Sequence, residues 1–408
     1  MTTLRRCLLS LCLLAAPATA QEVLELVESV PVETTLDNPD LRDAHVVWPE
    51  MIDRARKTLD FAEFYASDDP DNRQSRLETV VQAVERAAAR GVRVRFLAEK
   101  VFQKTYPETL ARLAAKPGVE VRIYDFAVLG GGVLHAKYFL VDGQEVYVGS
   151  QNFDWRSLQH IQELGVRVVE PQVARAYLDV FETDWALAGP ANPDQRPDRR
   201  TRVRSGSYLF PVQVGDGADA PWVTPVFSPT GWLPDQTLWD LPRLAEMIDR
   251  ATSSVRIQLL TYKTLSRDGS YFDLLDTALR RAASRGVKVR LLLADWSKRQ
   301  GTVEGLQSLQ TIPGIDVRMS TIPPFSGGFV PFARVAHSKY MVVDGRRAWL
   351  GSSNWEGDYF YQSRNIGMII DSPAVGARME RFFDNLWGST YAYDVDPCAT
   401  YEAPRVAE

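Results

Sequence analysis

His135-Ala136-Lys137-Tyr138-Phe139-Leu140-Val141-Asp142-Gly143, completed by Val146-Tyr147-Val148-Gly149-Ser150-Gln151-Asn152, is the stretch on which the reading of this chain turns. Its pattern is His-x-Lys-x4-Asp-x6-Gly-Ser-x-Asn, and it recurs as His337-x-Lys339-x4-Asp344-x6-Gly351-Ser352-x-Asn354. Six fixed positions, each at about 5% usage, coincide by chance in roughly one such chain in a hundred thousand, and here they occur twice. Residues two apart on a strand share a face, so imidazole and ammonium point the same way, as do the later hydroxyl and carboxamide. Asp142-Gly143 between apolar runs is a hairpin-turn pair. Each copy therefore presents four polar groups from adjacent strand ends.

The duplication extends well beyond the motif. Met51-Ile52-Asp53-Arg54-Ala55 recurs as Met247-Ile248-Asp249-Arg250-Ala251, an offset of 196, and Arg90-Gly91-Val92 as Arg285-Gly286-Val287. Pro117-Gly118-Val119-Glu120-Val121-Arg122 recurs as Pro313-Gly314-Ile315-Asp316-Val317-Arg318, and the motif itself at an offset of 202. In each unit a helix ends near Arg56 or Ala251, and a strand such as Val255–Leu260 follows. A second helix runs over Val80–Ala89 or Leu274–Ala283, stops at Gly91 or Gly286, and leads into strands Val92–Leu97 and Val287–Leu293. Alternating helices and apolar strands predict an α/β fold of two pseudo-symmetric repeats, each a mixed sheet flanked by helices, with the active site at their junction. The expected boundaries are a leader over 1–20, a first repeat over 21–189, a Pro/Gly/Arg-rich connector over 190–234, a second repeat over 235–390 and a tail over 391–408.

The chain has 408 residues, 45% hydrophobic and 24% charged, with net charge −5, which excludes wholesale disorder and a surface that coats duplex DNA by charge alone. Arg5-Arg6, the apolar run Cys7–Ala16 and Ala18-Thr19-Ala20 read as a cleavable export signal, too short to span a bilayer. Removing it leaves Cys398 as the sole cysteine and no intrachain disulfide. With no N-glycosylation sequon, a bacterial periplasmic or secreted location is expected, without stable membrane insertion. There is no His-x3-His, no Cys pair and no repeated acidic cluster, so no metal or other cofactor is expected.

The paired motifs resemble those of the phospholipase D superfamily over about Ala44 to Trp387. The flanks Asn152-Phe153-Asp154-Trp155-Arg156 and Ser353-Asn354-Trp355-Glu356-Gly357 look like its animal lysosomal branch, whose members are 5′ exonucleases on single-stranded DNA and RNA and also act in lipid transphosphatidylation. The poxvirus envelope relatives look similar. The chain departs from the animal branch in its cleavable leader, its lack of sequons and near-lack of cysteine, and in keeping Asp344. The resemblance implies a metal-independent phosphodiesterase in which one His attacks phosphorus and the other protonates the leaving oxygen. Single-stranded nucleic acid is the leading substrate; a phospholipase D or transphosphatidylase is the alternative, and a silent binding or envelope protein the remote one.

Catalytic residues are then expected at His135, Lys137, Asp142, Asn152, Glu163, His337, Lys339, Asp344 and Asn354. Two ammonium and two amide donors suit the charge of a phosphodiester. Asp142 and Asp344 either act chemically or shape their turns and orient the lysines. Ser150 and Ser352 are expected to bind substrate or to complete a strand-end hydrogen-bond pattern. Trp155 and Trp355 are candidate substrate platforms. His45 and His160, without repeat partners, read as structural. Glu163 lies 28 residues after His135 and Asn365 lies 28 after His337. In the family an acid at this place bonds the far nitrogen of a motif histidine. Glu163 is accordingly expected to orient His135 as nucleophile, and Asn365 to leave His337 as general acid.

Overall fold

A computed structural model describes residues 22–69, 72, 74–188, 208–266 and 269–407. The export signal and the start of the connector lie outside the described residues. The first repeat runs β1 (Leu24–Ser29), β2 (Arg42–Asp43), α1 (Ala44–Arg54), β3 (Thr58–Glu63), β4 (Ala66–Ser67), α2 (Arg76–Ala89), β5 (Arg93–Glu99), α3 (Glu108–Ala114) and β6 (Val119–Tyr124). It continues with α4 (Ala127–Gly130), β7 (Lys137–Val141), β8 (Glu145–Gly149), β9 (Phe153–Asp154), α5 (Trp155–Gln159), β10 (Glu163–Val169) and α6 (Pro171–Leu187). The second repeat runs β11 (Val212–Gln213), β12 (Trp222–Ser228), α7 (Asp240–Asp249), β13 (Ser254–Leu259), α8 (Leu274–Ser284), β14 (Lys288–Ala294), α9 (Val303–Gln310) and β15 (Ile315–Ser320). It closes with β16 (Tyr340–Val343), β17 (Arg347–Gly351), α10 (Gly357–Tyr361), β18 (Asn365–Asp371), α11 (Pro373–Trp387) and β19 (Ala392–Asp394).

Among the described residues the two large sheets have the orders β2-β1-β10-β8-β7-β3-β5-β6 and β11-β12-β18-β17-β16-β13-β14-β15-β19. The cores β10-β8-β7-β3-β5-β6 and β18-β17-β16-β13-β14-β15 correspond strand for strand. In each, β3-β5-β6 or β13-β14-β15 is parallel and the motif hairpin is antiparallel. The local signals act as read: Gly91 and Gly286 both take φ 88 past their helices, and both motif hairpins turn on positive-φ pairs, Asp142-Gly143 and Asp344-Gly345. Proline at the start of α6 and α11, with Glu170 and Ser372 accepting backbone N–H bonds, sets where those helices begin.

Helices α1 and α2 cover the outer face of the first sheet in one apolar cluster, and α7 and α8 cover the second in another. The third and largest cluster joins the repeats: Tyr138, Tyr177 and Phe181 of the first pack in it with Phe227, Tyr340 and Phe382 of the second. At its centre Arg364 and Asp184, both fully buried, pair through Nε–Oδ2 at 2.8 Å and Nη2–Oδ1 at 2.9 Å. The guanidinium also donates to the carbonyls of Ser228 and Trp232, so each of its three nitrogens has an acceptor.

The expected ends of the second repeat move. Trp222–Ser228, placed in the connector, is a strand paired along its whole length with β18. Pro225 is tolerated there because β11 covers only Trp222 and Val223, leaving the rest of β12 at the sheet edge. Ala392–Asp394, placed in the tail, extends the same sheet beside β15. Among the described residues no helix is long and apolar enough to cross a membrane.

Candidate active site

The junction is built by one exchange made twice. His135 N–H donates to the carbonyl of Arg364 at 2.9 Å, and His337 N–H donates to the carbonyl of Gln162 at 2.8 Å. The segment before each motif strand is thereby stitched to the other repeat, and the two histidines meet at the pseudo-dyad. Both are nearly buried, with Lys137 and Lys339 on the same face. Each ammonium donates to the carbonyl of its own motif histidine, Lys137 to His135 at 2.9 Å and Lys339 to His337 at 2.5 Å.

The exchange also reverses an expected pairing. Glu163 does not meet His135: its Oε2 lies 2.9 Å from Nδ1 of His337, and Asn365 Oδ1 lies 2.9 Å from Nδ1 of His135. The reason is topological. β10 and β18 each start at the seam, so the first side chain of each strand reaches the partner repeat's histidine. Glu163 is wholly buried and is held by Ser157, whose hydroxyl donates to Oε1 at 2.8 Å. The Asn365 amide donates to the carbonyls of Tyr359 (2.9 Å) and Ser363 (3.4 Å), while Ser352 donates to its oxygen (3.0 Å). That network fixes which way the carboxamide points: its oxygen faces His135 and takes the proton on Nδ1. The lone pair of His135 is therefore on Nε2.

Burial lowers the pKa of His135 well below the ordinary histidine value, reinforced by Lys137 and Lys339. His337 is lowered too by burial, but the Glu163 carboxylate opposes the shift and favours its imidazolium. Burial brings Lys137 down to about 7 and Lys339 well below the ordinary lysine value. Burial thus disfavours the charged form of both, and an anion brought between them favours it.

Several expected site residues lie elsewhere. Asp142 is five residues beyond Lys137, about 16 Å along an extended strand. Its carboxylate accepts the backbone N–H groups of Arg56, Lys57 and Thr58 at 2.9, 2.6 and 2.9 Å. Asp344 does the same for Thr252, Ser253 and Ser254. Both aspartates tie the hairpin turn to the start of β3 or β13, and neither orients a lysine. Ser150 bridges to the backbone of Leu164, and Ser352 to Ile366 and Asn365, so both complete strand-end bonds and neither lines the cleft. Trp355 is fully buried against Trp349 and Tyr262, Trp155 packs edge-on to His160, and neither lines a cavity that either motif histidine borders. Asn152 and Asn354 do line the cleft with both histidines.

The cleft has two parts. A cavity of about 530 Å³ flanks His135 and is bordered by Gly132, Lys263, Glu356, Asp358 and Tyr359. Gly357 and Asp358, which line it, stand where the first repeat carries Trp155 and Arg156. A second cavity of about 240 Å³ is lined by both histidines and by rings from both repeats, including Tyr65, Phe102, Tyr106, Trp296 and Phe332. Phe64 borders both cavities, edge-on to His135 with centroids 4.8 Å apart and 4.8 Å from Lys137 Nζ. None of these rings lies inside a motif; the signal that marks them is the break in repeat symmetry, since Phe64 aligns with Leu260 and Phe332 with Gly130. Among the described residues no group of three or more His, Cys, Asp and Glu side chains is arranged to hold a metal ion.

The profile of the cardiolipin synthase, PLD-like domain matches residues 49–185 and 244–387. A probable phospholipase D of Caenorhabditis elegans is 30% identical over 396 residues, covering 91% of this chain and 70% of that protein. The 5′-3′ exonuclease PLD4 of Mus musculus is 30% identical over 411 residues (91% and 79%), and the 5′-3′ exonuclease PLD3 of Homo sapiens 31% over 414 residues (92% and 81%). The phosphatidylserine synthase of Haemophilus influenzae shares the fold, with a TM-score of 0.59 at 12% identity over 86% of this chain and 85% of that one. The family model spans most of both repeats and the relatives match along nine-tenths of the sequence, so the chain belongs to the phospholipase D superfamily, on the branch of the PLD3-like proteins, as a phosphodiester hydrolase.

Proposed function

We propose that the chain hydrolyses single-stranded nucleic acid without a bound metal, through a phosphohistidine on His135. The observation that carries the mechanism is the contrast between the histidine partners. Asn365 leaves His135 neutral with a free lone pair on Nε2, while Glu163 favours a proton on His337. A nucleophile needs the first state and a general acid the second. The roles expected from the sequence are kept, for a different reason: the carboxylate holds the acid's proton instead of supporting the nucleophile.

In the first step His135 Nε2 bonds to phosphorus, the P–O bond to the leaving alcohol breaks, and His337 gives that oxygen its proton. In the second, water attacks phosphorus, the P–N bond breaks, and His337 takes the water's proton. Lys137, Lys339, Asn152 and Asn354 surround the non-bridging oxygens, supplying charge and hydrogen bonds at the point where a fifth ligand arrives.

The nucleic-acid reading is supported by the narrow aromatic cavity beside the histidines and by relatives named 5′-3′ exonucleases. Aromatic faces and a local phosphate clamp suit a single strand on a chain of net charge −5. The test incubates the purified chain with 5′-hydroxyl single-stranded DNA, its duplex, and vesicles of phosphatidylcholine and phosphatidylglycerol, each with and without EDTA. Single strands are shortened fastest and EDTA leaves the rate in place. Turnover of vesicles alone makes it a phospholipase, and turnover of nothing a silent protein. We further place the protein in a bacterial periplasm or medium on the strength of residues 1–20; N-terminal sequencing of the exported chain, beginning at Gln21, tests this.

A further inference from the structure

The loops that enter the two motif histidines are equivalent in the repeat and opposite in character. The first is Gly130-Gly131-Gly132; the second, at the 202-residue offset, is Phe332-Ala333-Arg334. In the first, a Cβ on Gly130 would fall 2.2 Å from the Phe126 ring and one on Gly132 2.3 Å from Ser363 Oγ, so the backbone has no room for side chains. In the second, Phe332 and Arg334 hold φ 56 and 55, a left-handed conformation disfavoured for residues with a Cβ. The surroundings enforce it. Phe332 N–H donates to the carbonyl of Val406 at 2.8 Å, and Arg334 N–H to that of His160 at 3.0 Å. The Arg334 guanidinium donates to the carbonyls of Pro323 and Val32, and Arg405 lies 4.2 Å over the Phe329 ring.

Folding gains little from this arrangement, because the Phe332 ring is 46% exposed. What the arrangement does is set an aromatic ring at the edge of the smaller cavity, which both motif histidines line, whereas His135 alone of the two borders the larger one. The rings of Tyr65, Phe102 and Tyr106, mutually 4.8 to 5.9 Å apart, supply the first repeat's share of that lining. Among the described residues no carboxylate or ammonium lines this cavity; its polar groups are the two histidines with Asn152 and Asn354, and most of the remaining wall is ring faces. About 240 Å³ takes one planar heterocycle and is short for an acyl chain.

We propose that Phe332 is a stacking platform for the nucleobase on the leaving-group side of the scissile phosphate, held in place by the C-terminal residues Arg405 and Val406. The assignment rests on the nucleic-acid reading above and on His337 as proton donor, since the departing nucleoside must lie where that proton is delivered.

The experiment compares three dinucleoside monophosphates: one complete, and two in which one or the other nucleoside is abasic. The phosphorylated product shows which nucleoside departs. In the wild type, loss of the leaving-side base lowers kcat/KM on the order of tenfold, the scale of base–aromatic stacking. Phe332→Ala lowers kcat/KM by the same factor on the complete substrate and leaves the leaving-side abasic one unchanged; Phe332→Tyr restores the difference. A chain ending at residue 404 loses part of the base dependence in the same way. Equal loss on all three substrates in Phe332→Ala, or base dependence that survives it, overturns the platform while leaving the nucleic-acid reading intact. Failure of the wild type to cleave any of the three, with vesicles turned over, overturns both.

Discussion

His337 Nδ1 and Glu163 Oε2 stand 2.9 Å apart although 174 residues and a repeat boundary separate them, and the carboxylate has no exposure to solvent. No half of this chain holds a complete acid on its own. The partner of His135, Asn365, makes the reciprocal crossing but brings no charge. Two nearly identical motifs are thus given unequal proton affinities by the residues each borrows.

The pH profile follows from that inequality. In the proposed mechanism His337 acts as an imidazolium, and burial places its pKa below the ordinary 6.5, so kcat/KM falls as pH rises through a value on the acid side of 6.5. His135 must be neutral and is lowered further, so the low-pH limb lies below the high-pH limb and the optimum is acidic. Glu163→Gln removes the one charge that opposes the lowering of His337 and shifts the descending limb to lower pH. An unmoved limb in the variant's pH–rate profile contradicts the assignment.

Trapping separates the histidines directly. With a diester carrying a good leaving group, His337→Asn slows breakdown and lets a phosphoryl adduct accumulate on His135, visible by peptide mass spectrometry after rapid quenching. His135→Asn accumulates none. An adduct on His337 in the second variant reverses the roles.

Asp142 makes a different prediction from the lysines it follows in sequence. Its carboxylate satisfies three backbone N–H groups at the start of β3, far from the cleft. Asp142→Ala therefore costs about 1–3 kcal/mol of stability for the unsatisfied donors, read by denaturant unfolding, while kcat of the folded enzyme stays within about twofold. Loss of turnover by a factor of a hundred or more in the folded variant would return Asp142 to the chemistry.

Arg364 is tested through the seam it locks. Its guanidinium is fully buried on Asp184 and two carbonyls of the second repeat. Arg364→Ala strands a buried carboxylate and costs about 3–5 kcal/mol in global unfolding. Because the Arg364 carbonyl also receives the His135 N–H, turnover fails on warming before the repeats unfold.

The two-repeat α/β fold, the hairpins on Asp-Gly, the helix stops at Gly91 and Gly286, and the meeting of both His–Lys pairs were legible from residue order. Each rests on local chemistry or on a pattern strong enough to appear twice. Strand β12 was not, because Pro225 and the surrounding turn residues disguise an edge strand whose pairing partner lies some 140 residues on, in β18.

The exchange of partners was decided only by tertiary structure. Linear spacing puts Glu163 and His135 in one repeat and in equivalent register with Asn365 and His337, and nothing in that register says which repeat's seam a side chain crosses. The same holds for the cleft's aromatic walls: Phe64, Phe102, Trp296 and Phe332 lie outside the motifs and converge only when two sheets pack face to face around α6 and α11. Sequence alone determined which chemical groups this protein brings to a phosphodiester, since strand periodicity and turn chemistry act over a few residues. Which charge and which neighbours surround each histidine was decided by the packing of the two repeats, because a pKa is set by whatever charge and burial arrive through space.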